Sequence, residues 1–320
     1  MSTADWTRKV FRLRRLPDDA STPAAVASLL SRILALPDDH VVVYSVTIAP
    51  SVYAMPSRMA TLQMKSIPAQ LQHAIGDDEW MLSPPGENVS DILILDTHFE
   101  SLTVLYDPAP VEHVADCIAI SGLASHPFGS WQPHGPDKTF MWIRDAAHES
   151  LQGIRTSIYA YDSKLTDSKS FQSIGDIATK LILHLKSGGW NRHTSKPIVF
   201  LAHSLGGLVL MEAIVRIADS RDKSLSSILS NVRGAIMFGV PTLGMDQTHL
   251  MSMVEGQPNE LLIQALSRDG GNDYIRQLHE RFGGLSFLTK TRLFWAYETR
   301  QSRTMLVGLR RLHQEADAPY

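Results

Sequence analysis

Short apolar runs alternate with helical repeats of apolar residues along most of the chain after residue 110. Short, largely apolar runs predict strands at residues 116–120, 153–161, 196–201, 232–240 and 293–297, and the run at 153–161 is rich in β-branched and aromatic residues. Apolar positions repeat at helical spacing through residues 173–186 and again through residues 206–218, and Gly188 ends the first of these patterns. Strands that alternate with helices over short turns predict a doubly wound α/β sheet of mostly parallel strands.

The first 108 residues follow a different pattern. Strands are predicted at residues 10–16, 41–48, 60–67 and 92–95, with helices at residues 24–36 and 68–75. Thr22 and Pro23 are typical of the N-cap and first position of the first helix. The order strand, helix, strand, strand, helix, strand predicts a small α+β module of the ferredoxin-like type. Because residues 107–110 read Asp-Pro-Ala-Pro, we expect an N-terminal module at residues 1–108 and an α/β domain at residues 109–320.

Ser204 stands where the strand predicted at residues 196–201 turns into a helix. A serine on such an elbow exposes its hydroxyl, and the tight turn requires small residues two positions before and after it. Ala202 and Gly206 satisfy this requirement, although glycine is more usual at the first position. The same five residues also fit a plain turn that ends a buried strand, so the surrounding segments decide between a nucleophile and a simple turn.

The turn after the strand predicted at residues 116–120 is a second candidate for chemistry. In a hydrolase, one donor to the oxyanion is the backbone amide of the residue after the nucleophile, here Leu205. The other donor is expected in the turn formed by Ser121, Gly122 and Leu123, with the amide of Leu123 facing the ester oxygen.

Several short motifs follow one another between residues 110 and 310. They read Ser-Gly-Leu at 121–123, His-Pro-Phe-Gly-Ser-Trp at 126–131, Met-Trp-Ile-Arg-Asp at 141–145, Tyr-Ala-Tyr-Asp-Ser at 159–163, Ala-His-Ser-Leu-Gly-Gly at 202–207, Phe-Gly-Val-Pro at 238–241 and Tyr-Glu-Thr at 297–299. This ordered set resembles fungal α/β-hydrolases related to the serine-active-site lipases and to the inositol deacylases of GPI anchors. The resemblance implies an α/β-hydrolase fold and a lipase-like or esterase-like activity.

A serine nucleophile needs a base to take its proton and a carboxylate to orient that base. In this fold the order along the chain is serine, acid, histidine. The resemblance implies Glu298 as the acid, and Asp246 is the alternative acid. His313 is the only histidine after Glu298, so it is the expected base. Its neighbours differ from the family pattern, which leaves open that the chain has lost its true histidine by truncation.

The expected function is therefore hydrolysis of carboxylic esters, with lipid or acyl esters as the expected substrates, through an acyl-enzyme on Ser204. The alternative is a catalytically degenerate or truncated hydrolase fold that serves as a protein-interaction or signalling module. Acyl transfer to an alcohol or thiol would use the same residues. Residues 250–254 are interpreted either as a methionine-containing lid over the elbow or as ordinary core.

Composition narrows the expected partners. With 44% hydrophobic residues among 320, the chain has enough apolar side chains for a large core, and its net charge of −3 gives no basis for binding nucleic acid. Cys117 is the one cysteine, so no internal disulfide forms and an intracellular, cytoplasmic location is expected, with peripheral contact to an organelle membrane left open. No apolar run is long enough to span a membrane, and no residue spacing indicates a metal site or a cofactor.

Overall fold

The computed structural model describes residues 9–37, 39–51, 57–72, 78–84, 92–133, 139–268, 273–297 and 299. The strands are β1 (Val10–Leu16), β2 (Val41–Ile48), β3 (Arg58–Met64), β4 (Glu79–Leu82), β5 (Leu93–Asp96), β6 (Ser101–Tyr106), β7 (Ala115–Ile120), β8 (Ile154–Ala160), β9 (Ile198–His203), β10 (Val232–Phe238) and β11 (Arg292–Ala296). The helices are α1 (Pro23–Leu34), α2 (Trp142–Asp145), α3 (Ala147–Ser150), α4 (Ile174–Ser187), α5 (Leu205–Asp219), α6 (Lys223–Asn231), α7 (Thr248–Val254), α8 (Glu260–Gln264) and α9 (Tyr274–Gly283).

Across these ranges the strands form two sheets. The first has five strands in the order β2-β3-β1-β5-β4, and the paired strands are antiparallel. Helix α1 begins where the sequence predicts it, because the Thr22 hydroxyl accepts a hydrogen bond from the Ala25 amide and Pro23 occupies the first turn.

The second helix of this module, expected at residues 68–75, lies partly outside the described residues, which here end at Gln72. Its described part contains a 3-10 turn at Ala69–Leu71, with Leu71 buried. Strand β4, which the sequence did not predict, pairs with β5. The expected ferredoxin-like module is therefore not confirmed.

The second sheet has six strands in the order β11-β10-β9-β7-β8-β6. Strands β7 to β11 pair in parallel, and β6 pairs antiparallel with β8 at one edge. Ile118 and Phe200 pack in one core cluster with α4 and α5, whereas Ala119 and Leu201 pack in another cluster on the opposite face. Both faces of the sheet are therefore covered, as predicted for a doubly wound arrangement.

Helix α4 begins at residues whose side chains cap it. Ser173 and Asp176 form a reciprocal capping box, in which the Ser173 hydroxyl accepts from the Asp176 amide at 3.1 Å and an Asp176 carboxylate oxygen accepts from the Ser173 amide at 3.0 Å.

Cys117 lies buried in β7, and loss of solvent raises the pKa of its thiol to about 12, which fits an inert core residue. Within the described ranges no helix is long and apolar enough to cross a bilayer.

The chain passes from the first sheet to the second between Asp96 and Ser101, before the linker expected at residues 107–110. The division into two domains near residue 108 stays a prediction. The two sheets are joined by Arg12, whose fully buried guanidinium donates to Asp96 Oδ2 at 2.9 Å, to the Glu100 carbonyl at 3.0 Å and to Thr103 Oγ1 at 2.8 Å. This cation therefore links β1, β5 and β6.

Replacing Asp96 by alanine should lower the free energy of unfolding by roughly 3–5 kcal/mol, because it leaves a buried guanidinium without its counter-charge. Asp39→Ala is the matched control, since Asp39 pairs with Lys65 on the exposed surface. Urea unfolding of both variants measures the difference. Equal losses would show that the Arg12 to Asp96 pair does not stabilise the junction of the sheets.

Candidate active site

Ser204 lies between the end of β9 and the start of α5 with φ 51° and ψ −123°. A non-glycine residue with these dihedrals costs on the order of 1–3 kcal/mol, so surrounding contacts must hold it. The Ser204 amide donates to the Phe238 carbonyl at 2.8 Å, and the Ser204 carbonyl accepts from the Gly207 amide at 2.9 Å. The predicted elbow between strand and helix is present, and its serine is strained.

The elbow is pressed against the end of β7. A Cβ added to Gly206 would overlap the Ser121 carbonyl oxygen and lie 2.7 Å from the Ile120 carbonyl oxygen, so only glycine fits. A Cβ on Gly207 would overlap the side chain of Val240. Ala202, two positions before the serine, is fully buried in β9.

The turn after β7 touches the serine. A Cβ added to Gly122 would lie 2.9 Å from the Ser204 Cβ and 2.9 Å from His203 Nδ1. Glycine is required here by this close approach, because Gly122 does not adopt a positive φ. Leu205 opens α5 and Leu123 follows Gly122, so the two expected oxyanion donors belong to segments that meet at Ser204. Amides in the first turn of a helix have no partner within that helix.

Two side-chain hydroxyls hold the turn after β7 through hydrogen bonds to its carbonyls. The buried Tyr161 hydroxyl donates to the Ser121 carbonyl at 2.9 Å, and the Ser125 hydroxyl donates to the Gly122 carbonyl at 2.8 Å. Burial raises the pKa of Tyr161, so its hydroxyl keeps the proton that it donates.

Glu298 and His313 lie outside the described residues, so their roles stay predictions. Strand β11 ends at Ala296, two residues before Glu298. The Ala296 carbonyl accepts a hydrogen bond from the Gly239 amide at 2.7 Å. Asp246, the alternative acid, is exposed and accepts from the amide and hydroxyl of Thr248 at the start of α7. These hydrogen bonds lower the pKa of Asp246.

His126 has a role that the sequence did not reveal. Its Nε2 lies 2.9 Å from the Thr97 carbonyl, and its Nδ1 accepts from the amides of Phe128 and Gly129 at 3.2 Å each. A carbonyl only accepts, so Nε2 carries the proton and the ring is neutral. The ring is accessible from the surface, yet the protein atoms around it displace enough solvent to lower the pKa of His126.

A cavity of about 800 Å³ opens beside the turn after β7. Ala124 and Ser125, which follow the glycine turn, line the cavity, whereas Ser204 is not a lining residue. Residues 161–167 also line it, as do Met253 of α7 and, from the corner between β5 and β6, Thr97, His98 and Glu100.

The segment at residues 250–254, interpreted as core or lid, contributes to both the core and the cavity. Leu250 and Val254 on α7 are core residues, whereas Met253 lies in the cavity wall.

One group of described residues has the geometry of a metal site, namely Glu79, Asp96 and His98. Its carboxylates already accept from arginine, since Arg14 donates to Asp96 Oδ2 at 3.0 Å and to Glu79 Oε2 at 2.6 Å. The group therefore fits an ion-pair network better than a cation site.

No family model matches the chain. It is 24% identical over 148 residues to Protein SERAC1 of Mus musculus, in a match that covers 41% of this chain and 22% of that protein. Protein SERAC1 of Danio rerio is 25% identical over 150 residues with the same shares. The chain thus spans 22% of the length of the curated relatives that it matches.

Solved structures that match this chain include two from bacteria that are described as a lipase and an esterase. The mature lipase BlEst2 of Bacillus licheniformis matches with a TM-score of 0.43 and 13% identity over 67% of this chain and 79% of that chain. Esterase 2 of Thermogutta terrifontis matches with a TM-score of 0.28 and 15% identity over 68% and 91% of the two chains. These likenesses are too distant to decide an activity, which must be inferred from the residues.

Gly122→Ala should slow the reaction of Ser204 with a fluorophosphonate probe, because the added methyl group meets Ser204 and displaces the turn. Gly283→Ala is the control, since a Cβ at Gly283 would meet nothing within 4 Å. Labelling rates of both variants, with melting temperatures, test this. A normal rate in Gly122→Ala would remove the turn from the site.

Proposed function

We propose that this protein is a serine hydrolase that cleaves carboxylic esters through an acyl-enzyme on Ser204. The observation on which this rests is the strained serine at φ 51°, ψ −123° between β9 and α5, in contact with the glycine turn after β7. A structure retains such strain where neighbouring contacts enforce it, and it is concentrated at functional sites.

The proposed reaction begins when Ser204 Oγ attacks the acyl carbon and a histidine base takes the hydroxyl proton. The amides of Leu123 and Leu205 donate to the oxyanion of the tetrahedral intermediate. Collapse of the intermediate breaks the bond to the alcohol, which leaves with the proton from the histidine. Water then attacks the acyl-enzyme by the same route, which releases the carboxylic acid and restores the serine. His313 is the proposed base and Glu298 the proposed orienting acid.

The cavity supports an ester with an apolar acyl group as substrate. Its volume of about 800 Å³ is in the range of small-molecule sites, and Ala124, Leu165 and Met253 contribute apolar surface. Lys9 and Asp162 also line it, which supplies charge of both signs for a polar alcohol group. Lipid esters belong to this class of substrate.

Ser204→Ala should reduce turnover of p-nitrophenyl butyrate by several orders of magnitude, because the covalent step requires this hydroxyl. The melting temperature should stay nearly unchanged, since alanine meets the same backbone constraint. Ser230→Ala, on the exposed surface of α6, is the control. An active Ser204→Ala variant would exclude the acyl-enzyme.

His313→Ala should reduce turnover nearly as far as Ser204→Ala, because the members of a triad act as a unit. Glu298→Gln should also be strongly impaired, since the histidine then loses the carboxylate that orients it. Steady-state rates of the two variants test the assignment. Normal rates in both would place base and acid elsewhere, and an inactive wild-type protein that fails to label would favour the interaction-module alternative.

A further inference from the structure

The corner between β5 and β6 is a strained backbone segment. Phe99 has φ 56° and Ser101 has φ 79°, conformations that are rare outside glycine. Asp96 Oδ1 accepts from the Phe99 amide at 2.9 Å, and the Arg12 guanidinium lies 5.6 Å from the centre of the Phe99 ring. The buried Arg12 to Asp96 pair therefore holds the corner in one shape.

This corner faces the loop at residues 122–131, which follows the turn beside Ser204. The Phe99 ring meets the His126 ring edge to face at 5.5 Å and the Phe128 ring at 5.8 Å. His126 Nε2 donates to the Thr97 carbonyl, while its Nδ1 accepts from two amides of its own loop. One neutral imidazole thus joins the corner to the loop through both ring nitrogens.

A second connection to the N-terminal sheet also involves Phe128. The buried guanidinium of Arg144 lies 5.5 Å from the Phe128 ring centre and 4.2 Å from the ring centre of Tyr44, a residue of β2. Phe128 is fully buried between the two connections. The far end of the loop is fixed as well, because the Trp131 ring packs against Phe238, whose carbonyl accepts from the Ser204 amide.

We propose that the N-terminal sheet positions the oxyanion turn of the candidate ester site, with His126 as the positioning residue. The sheet presents the Thr97 carbonyl, His126 binds it, and the loop thereby holds Gly122 against Ser204. The inference rests on the proposed function for its effect on catalysis. The mechanical connection can be measured without any activity.

Two substitutions at His126 separate the contributions of its two ring nitrogens. His126→Gln places an amide nitrogen near the position of Nε2 and keeps the donor to Thr97. His126→Asn places an oxygen near the position of Nδ1 and keeps the acceptor for the Phe128 and Gly129 amides, but it loses Thr97. His193→Asn, at an exposed position, is the control.

We expect kcat for p-nitrophenyl butyrate to fall about tenfold or more in His126→Asn, with KM changed less than about twofold, because a displaced turn weakens binding of the transition state. His126→Gln should retain more of kcat than His126→Asn. Hydrogen exchange of residues 122–125 should accelerate in the asparagine variant alone. If a His126 variant does not fold, Tyr44→Leu is tested in its place. This substitution removes the second connection and should accelerate hydrogen exchange of the same residues.

Normal kcat and exchange in both His126 variants would overturn the proposal. So would the reverse order, in which asparagine preserves the rate and glutamine does not, because His126 would then only cap its own loop. If the wild-type protein hydrolyses no ester and Ser204 does not label, the proposed function fails. The exchange measurements then still decide whether the sheet holds the loop.

Discussion

The close approach of the Ser204 elbow to the end of β7 is the constraint on which the candidate site depends. Strands β7 and β9 are neighbours in the middle of a sheet covered on both faces, so their carboxyl ends are fixed side by side. The chain leaves β9 through a turn that has room for Gly206 but not for a Cβ, and the turn after β7 has room for Gly122 but not for a Cβ. The strained serine results from packing two chain reversals into one small volume.

The buried ion pair between Arg12 and Asp96 holds together the junction of the two sheets. Arg12 links β1, β5 and β6, and Asp96 accepts from Arg12, Arg14 and the Phe99 amide. Unpaired, either charge would be costly in the interior, so the pair fixes the geometry of the corner that faces His126. The two sheets thereby meet next to the candidate site, where Val10 of β1 and the segments that follow β7 and β8 line the cavity.

Some elements were predictable because their signals are local. Strands β1 and β2 have the predicted bounds, and the caps at Thr22 and Ser173 lie where the side chains predict helix starts. Strand β6 was missed although it is largely buried. Its Thr103 is buried because Arg12 donates to it, and a polar residue buried by a partner 91 positions away leaves no local pattern.

The sequence by itself determined the alternation of strands and helices, the elbow at Ser204 and the glycine turn after β7. Backbone sterics and hydrophobic spacing act over a few residues and are therefore readable from the order of side chains. Only the tertiary structure decided that Gly122 touches Ser204, that β6 joins the second sheet and that Thr97 meets His126. These pairings depend on where distant segments return in space, and a backbone carbonyl such as that of Thr97 carries no residue-specific signal in the sequence.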